Sequence, residues 1–590
     1  MAASSWLRSL PGRSAVPAAA LIGAALALAG CSGKQAASAP QQKVAGCPGD
    51  NGGLTLAPGF CATVFADDIG HARHLAVGGD GTVYANSWSG QYYPNMPPPA
   101  GGFLVAMKDT NGDGKADQVQ RFGITSQSGG TGGTGIALYN GAIYADENGR
   151  ILRWPLKPGE TVPSAAPEIV LSGMPLTGDH PMHPFVIGPK GELFVNSGSA
   201  TNSCELKNRM PGSPGHQPCD EKLTRAGIWR YDASKTGQVF SAAERYVSGI
   251  RNSGGQAFDA DGRLFATQHG RDQLAQNWPR FYNQKQGAEL PAEEMIELKA
   301  GADYGWPECY YDPQLKSLVL APEYGGDGKT VGLCAQRQPP AAAFPAHWAP
   351  NDLTFYKGSQ FPEAYRGGAF IAFHGSWNRA PEPQDGYNVV FQPMQGGRPS
   401  GSFVVFADGF AGGEKGPGTA QHRPAGVAIG PDGALYVADD VKGRIWRITY
   451  AGPGDAKVQA APRAAPAAPA PAPPAIQPPL PVPPGASADQ VALGGRIFHG
   501  EVSGGTCSGC HGPNGGGTST GAALNAGTWL WSDGSLAGIR RTIVEGVAKP
   551  KRATGAMPPK GGTPLSDTEV DAVAAYVWAI GHASKPPEVK

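Results

Sequence analysis

The chain has 590 residues, and its 48 basic and 48 acidic side chains cancel. It therefore carries no polybasic footprint for nucleic acid. The 87 glycines and 56 prolines favour a loop-rich β structure over an α/β one.

In chain order, Arg8 and Arg13 precede an apolar run from Ala15 to Ala29. That run is too short and too rich in small residues for a membrane span, so residues 1–30 read as a signal peptide. Leu28-Ala-Gly-Cys31 resembles a bacterial lipobox. The resemblance implies that Cys31 is lipidated and becomes the first mature residue, which makes the protein a membrane-tethered periplasmic lipoprotein. The alternative is an ordinary cleaved signal. Of the nine cysteines, Cys47, Cys61, Cys204, Cys219, Cys309 and Cys334 fall into three neighbouring pairs. Local disulfides in an oxidising compartment are the natural expectation, although sequence cannot choose among the possible connectivities.

Asp109, Asn111, Asp113, Lys115 and Asp117 stand at alternate positions of an EF-hand-like loop, Lys115 contributing its carbonyl. The spacing predicts a structural calcium site, weakened because position 12 is Gln120 instead of Glu. A second pattern recurs along the chain: an apolar strand, a Gly/Asp turn and a second strand. It runs from Leu75 to Tyr84, Phe185 to Phe194, Ala257 to Phe265 and Val427 to Tyr436, with weaker copies at 136–144 and 369–390. Repeated Asp-Gly hairpins predict a mainly β, six-bladed β-propeller over residues 46–450.

Three further motifs occur in this stretch: Gly249-Ile-Arg251-Asn252, then His269-Gly270-Arg271-Asp272, then Asp303-Tyr-Gly-Trp-Pro307. In this order they resemble the soluble glucose dehydrogenase and L-sorbosone dehydrogenase group. The resemblance implies a six-bladed propeller that binds pyrroloquinoline quinone (PQQ) with calcium and oxidises sugars or aldehydes. It puts the catalytic base on His180, within Asp179-His180-Pro-Met-His183. A neutral histidine suits proton removal from a hydroxyl while hydride leaves for the quinone. A register shift of three residues would exchange His180 for His183. The same resemblance assigns Arg251, Asn252 and Arg423 to PQQ, and the backbone carbonyls of Gly270 and Arg271 to its calcium. Arg73 and Arg379 are further candidates for the cofactor's carboxylates. Two departures stand out. The second arginine of the family's last-blade motif falls on Ala425, and its cofactor lysine has no counterpart near 373–379. Glucose specificity is therefore not implied.

Residues 451–486 are dominated by Ala and Pro and read as a semi-rigid spacer. Beyond it, residues 487–590 contain Cys507-Ser-Gly-Cys510-His511. This spacing attaches a c-type haem through two thioethers, with His511 on the iron. Ser487 to Gln490 and Ser566 to Glu569 are capping boxes that open a first and a last helix, and Gly581 is the expected stop of the last one. The stretch looks like a small all-α class I cytochrome c. Met557, the one methionine after Met394, is the expected sixth ligand, with His499 or His582 as fallbacks.

Together these readings predict a quinohaemoprotein dehydrogenase that passes electrons through its own haem c to another cytochrome or the respiratory chain. The competing reading is a non-catalytic ligand-binding propeller fused to an electron-carrier cytochrome.

Overall fold

The computed structural model describes residues 47–583 except 48, 88–99, 124–131, 380–381, 414, 417–419, 463–479, 500–501, 504–506, 513, 518–520, 552–556 and 564. The signal and lipobox residues, and residues 463–479 of the Ala/Pro spacer, lie outside these described residues.

The hairpin repeat seen in the sequence is the inner half of five blades; in the fifth blade in chain order, residues 369–390 instead run through the second and third strands, Ala369–Phe373 and Asn388–Gln392. Asp80 accepts the Thr82 amide at 3.1 Å, and Gly78 N–H donates to the Thr82 carbonyl at 2.8 Å. Asp432 and Ala434 repeat the contact at 3.1 Å. The turn glycine takes positive φ each time, 81° at Gly81, 85° at Gly191, 82° at Gly262 and 83° at Gly433. Only glycine adopts that region without cost, which explains its recurrence.

Six sheets of four or five strands result. Their first strands are Leu75–Val77, Gly132–Tyr139, Phe185–Ile187, Gln256–Phe258, Pro350–Phe355 and Pro424–Ile429. Each touches the next in cyclic order, and the last touches the first, so the sheets form a six-bladed propeller. The sixth blade is completed by the N-terminal strand Phe60–Ala66, which pairs antiparallel with Ile445–Tyr450, Phe60 lying opposite Tyr450. Aromatic packing seals this closure. Phe60 lies edge-on to Phe361 at 4.8 Å and to Phe406 at 4.7 Å between ring centroids. Disulfides join Cys47 to Cys61, Cys204 to Cys219 and Cys309 to Cys334, the three neighbouring pairs.

Two short helices, α1 (Leu274–Asn277) and α2 (Gln284–Glu289), are inserted in the fourth blade. After the spacer come α3 (Ala488–Phe498), α4 (Cys507–His511), α5 (Leu536–Glu545) and α6 (Asp567–His582). Both predicted capping boxes are present, Ser487 with Gln490 and Ser566 with Glu569. Helices α3 and α6 pack closely because Gly494 has no side chain, and a Cβ there would fall 1.9 Å from the Ala572 carbonyl oxygen. Gly581 does not end α6 as expected. The helix continues to His582, and Gly581 instead makes room for Trp529, whose ring carbon would lie 2.6 Å from a Cβ. Among the described residues no helix is long and apolar enough to cross a membrane.

Candidate active site and haem-binding cavity

In every blade the start of the first strand and the end of the second lie on one face of the ring, because the two are an antiparallel hairpin. Arg73, His180, Arg251 and Arg423 precede first strands, while His269 to Asp272, His374 to Arg379 and Asp440 follow second strands. Topology therefore gathers residues far apart in sequence at a single mouth.

His180 Nδ1–H donates to the Ser199 carbonyl at 2.9 Å and to Ser199 Oγ at 3.0 Å. This fixes the tautomer that leaves Nε2 unprotonated. Burial, aided by the Arg251 and Arg209 guanidinium groups, holds His180 well below the usual histidine range, so it is neutral. His183 differs. It is 1 % exposed, and both ring nitrogens face carbonyls, Nδ1 that of Asn196 at 2.9 Å and Nε2 that of Pro175 at 2.8 Å. His183 thus braces two loops.

Arg251 donates to the Asn202 and Gly270 carbonyls and to Asp272 Oδ2 at 2.9 Å. Asp272 also takes Arg209 at 3.1 Å and Asn378 Nδ2 at 2.7 Å. Burial alone would raise the Asp272 carboxyl, yet Arg251 and Arg209 pull it below the usual range. Asn252 holds the His269 amide at 2.9 Å through its carbonyl. Arg423 donates to the His374 and Gly375 carbonyls and lies 5.4 Å from the Tyr387 ring centre. Arg73 pairs with Asp440, which His374 Nε2 also approaches at 2.7 Å. Burial pushes His269 down to about 3 and His374 to about 4. The mouth is thus lined by three guanidinium groups, two of them paired with Asp272 and Asp440, and by neutral histidines. This donor set fits an anionic, polycarboxylate cofactor such as PQQ.

The other expected positions sit differently. Arg271 is spent on a buried ion pair with Glu323. Arg379 donates to the Ala288, Ala346 and Pro383 carbonyls, bracing a loop. The Gly270 carbonyl accepts from Arg251 at 2.9 Å, so a calcium ion there would face a guanidinium. In the EF-hand-like loop, both Asp109 oxygens accept the loop's own amides, from Gly112 and Gly114, Asn111 accepts from Asp113, and Asp113 accepts from Lys115. Asp117 takes Thr110. Among the described residues no group of three or more His, Cys, Asp or Glu is arranged to hold a metal. Each of these loop carboxylates keeps further lone pairs, so the amide bonds shape the loop without excluding a cation.

In the helical domain, Cys507, Cys510 and His511 lie on α4, and Met557 is held opposite by a bridge to Val547. His511 Nδ1–H donates to the Ala522 carbonyl at 2.7 Å, which leaves Nε2 for iron. Cys507 and Cys510 stand outside the three disulfides. These four side chains line one cavity, partly open to solvent, with Trp529, Ile543, Val573 and Val577. The apolar walls and the Cys-Cys-His-Met set fit a covalently held haem. His499 and His582 are tied to the Gly495 and Trp578 carbonyls of their own helices.

The cavity has a wall that sequence reading missed: Arg209, Gln273 and Trp377 of the propeller. Arg209 is also ion-paired to Asp179, the neighbour of His180, at 2.9 Å. No motif marks Arg209, and Trp377 lies unassigned between two residues of the His374–Arg379 loop.

Residues 54–451 match the TrAA12-like family model. The chain belongs to the TrAA12-like family. Residues 494–577 match the model of cytochrome C oxidase, cbb3-type, subunit III. The TrAA12-like propeller resembles the calcium structure of the Trichoderma reesei carbohydrate-active enzyme family AA12, with 18 % identity, TM-score 0.54, and coverage of 70 % of this chain and 99 % of that one. It likewise resembles the holo PQQ domain of Coprinopsis cinerea pyranose dehydrogenase, with 20 % identity, TM-score 0.53, and coverage of 69 % and 99 %. At these identities the likeness is one of fold. Among curated proteins, the PQQ-dependent pyranose dehydrogenase of Coprinopsis cinerea is 28 % identical over 232 residues, 34 % of this chain and 30 % of that protein. An uncharacterised Borreliella burgdorferi protein is 28 % identical over 204 residues, 34 % of this chain and 48 % of that one. The chain thus spans less than half the length of these curated relatives.

Proposed function

We propose that the protein is a quinohaemoprotein dehydrogenase that oxidises an aldose sugar or an aldehyde of the sorbosone type and exports the electrons through its own cytochrome domain. The observation that carries this reading is Arg209, which pairs with the residue beside His180 and also lines the cavity of Cys507, Cys510, His511 and Met557. Arg251, Asn252, Arg423 and Arg73 would line the PQQ site, their guanidinium groups offering charge to its carboxylates. When bound, PQQ supplies a two-electron oxidant and haem c a one-electron outlet.

His180 Nε2 takes the proton of the substrate hydroxyl, and Ser199 keeps the ring in the required tautomer. The mouth excludes charge from the histidines by burying them, so the base stays available at neutral pH. By the lipobox at Cys31, the protein is tethered in the periplasm, where a respiratory cytochrome can collect the electrons. The test is to load the full chain with PQQ and follow haem reduction during a screen of aldoses and aldehydes. Haem that no substrate reduces would return the propeller to a ligand-binding role.

A further inference from the structure

Three contacts bring the cytochrome domain against the propeller mouth. A Cβ on Gly509, inside the Cys507–His511 turn, would lie 3.1 Å from Trp377 Cε3 and 3.2 Å from the Trp377 carbonyl oxygen. A Cβ on Gly562 would lie 3.1 Å from Gln273 Nε2 and 3.7 Å from Gln276 Cβ. Arg209, Gln273 and Trp377 line the same cavity as Cys507 and Cys510. Glycine at two points of contact lets the surfaces approach closely there.

We infer that the His374–Arg379 loop carries a docking surface for the cytochrome domain of this same chain, with Trp377 seated on Gly509, and that docking covers the haem edge bearing Cys507 and Cys510. The support beneath Trp377 is rigid. Its neighbour Asn378 bonds Asp272, which is held in turn by Arg251 and Arg209. The thioethers fix which edge of the haem this is, because they form at Cys507 and Cys510. An outside protein therefore reaches that edge only after the domain lifts away, and the Ala/Pro spacer keeps it near for return. This rests on the function proposed above. Oxidation of one hydroxyl to a carbonyl releases two electrons and two protons. Two dock-and-release cycles then deliver one electron each to two molecules of a one-electron protein acceptor such as a c-type cytochrome.

The seat can be locked. The 3.7 Å approach at Gly562 and Gln276 suits a disulfide between Cβ atoms, so the double variant Gln276→Cys, Gly562→Cys is made in the full holoprotein. Expected are an interdomain crosslink by peptide mapping, retained haem reduction by substrate, and at least about a tenfold loss of turnover with cytochrome c as acceptor, restored after the bridge is reduced and the reductant removed. A crosslink with undiminished cytochrome c turnover would overturn the covered edge. Gly562→Ala reports whether the backbone tolerates a side chain at φ 76°. If it does not, p-benzoylphenylalanine in place of Trp377 is the probe: photocapture of the 507–512 peptide supports the seat, and capture only elsewhere refutes it. Failure of the functional reading looks different, since the crosslink then forms but no substrate reduces the haem even in the unmodified chain.

Discussion

The two folded regions build their sites in opposite ways. In the cytochrome domain the chemistry sits in five consecutive residues plus one methionine, on helices that set their own ends with capping boxes. In the propeller it is spread over segments from Arg73 to Asp440, and only ring closure brings them together. Local chemistry survives as a motif, whereas distributed chemistry survives as a network of buried charges.

That contrast can be pressed experimentally. His180→Ala, which removes the proposed base, is expected to slow haem reduction by substrate about 10³-fold while leaving the haem spectrum intact. Stopped-flow at the ferrous haem band reads this, and full speed in the variant would move the base elsewhere. Next in size, Asp272→Ala leaves Arg251 and Arg209 facing each other in a buried setting and is expected to cost about 3–5 kcal/mol in propeller stability. Calorimetry that resolves the two domains should find the cytochrome transition unmoved.

Acid supplies a third test. His180, His183, His269 and His374 are neutral in the folded propeller, with pKa values held below 6.5, two of them to about 4 and His269 to about 3. Between those values and 6.5 the unfolded chain binds more protons than the folded one. Their contribution to stability is therefore complete above pH 6.5 and is lost as pH falls through the folded values. The propeller melting temperature should drop with acidification from about pH 6.5 downward. A flat profile over pH 4 to 7 would contradict the buried-neutral assignment. The smallest effect belongs to the other region: Ser566→Ala removes one cap and is expected to cost about 1 kcal/mol, in the cytochrome transition alone.

The same contrast explains what could be read from sequence. Hairpins were legible because a glycine at positive φ recurs in their turns, preceded by Asp at Gly81, Gly262 and Gly433, and the haem motif because its spacing is chemically required. His180 and His183 could not be separated, since only tertiary contacts reveal that both nitrogens of His183 are occupied. Arg271 and Arg379 stand beside recognisable motifs, yet Glu323 and three loop carbonyls claim them. Arg209 left no signal at all, and Trp377 only its place inside the His374–Arg379 motif. Their importance comes from what lies across a domain boundary, which no local pattern encodes. Gly581 misled for a related reason: a glycine near a helix end reads as a stop, and here it is a recess for Trp529.

Closure of the sixth blade by Phe60–Ala66 has a consequence for biosynthesis. That strand emerges early and has no partner in the ring until Ile445–Tyr450 exists, so the nascent protein carries an open β edge through most of its synthesis. The bridge from Cys47 to Cys61 ties the waiting strand to its own upstream segment. A chain truncated just before Ile445 would possess five whole blades and still lack a propeller.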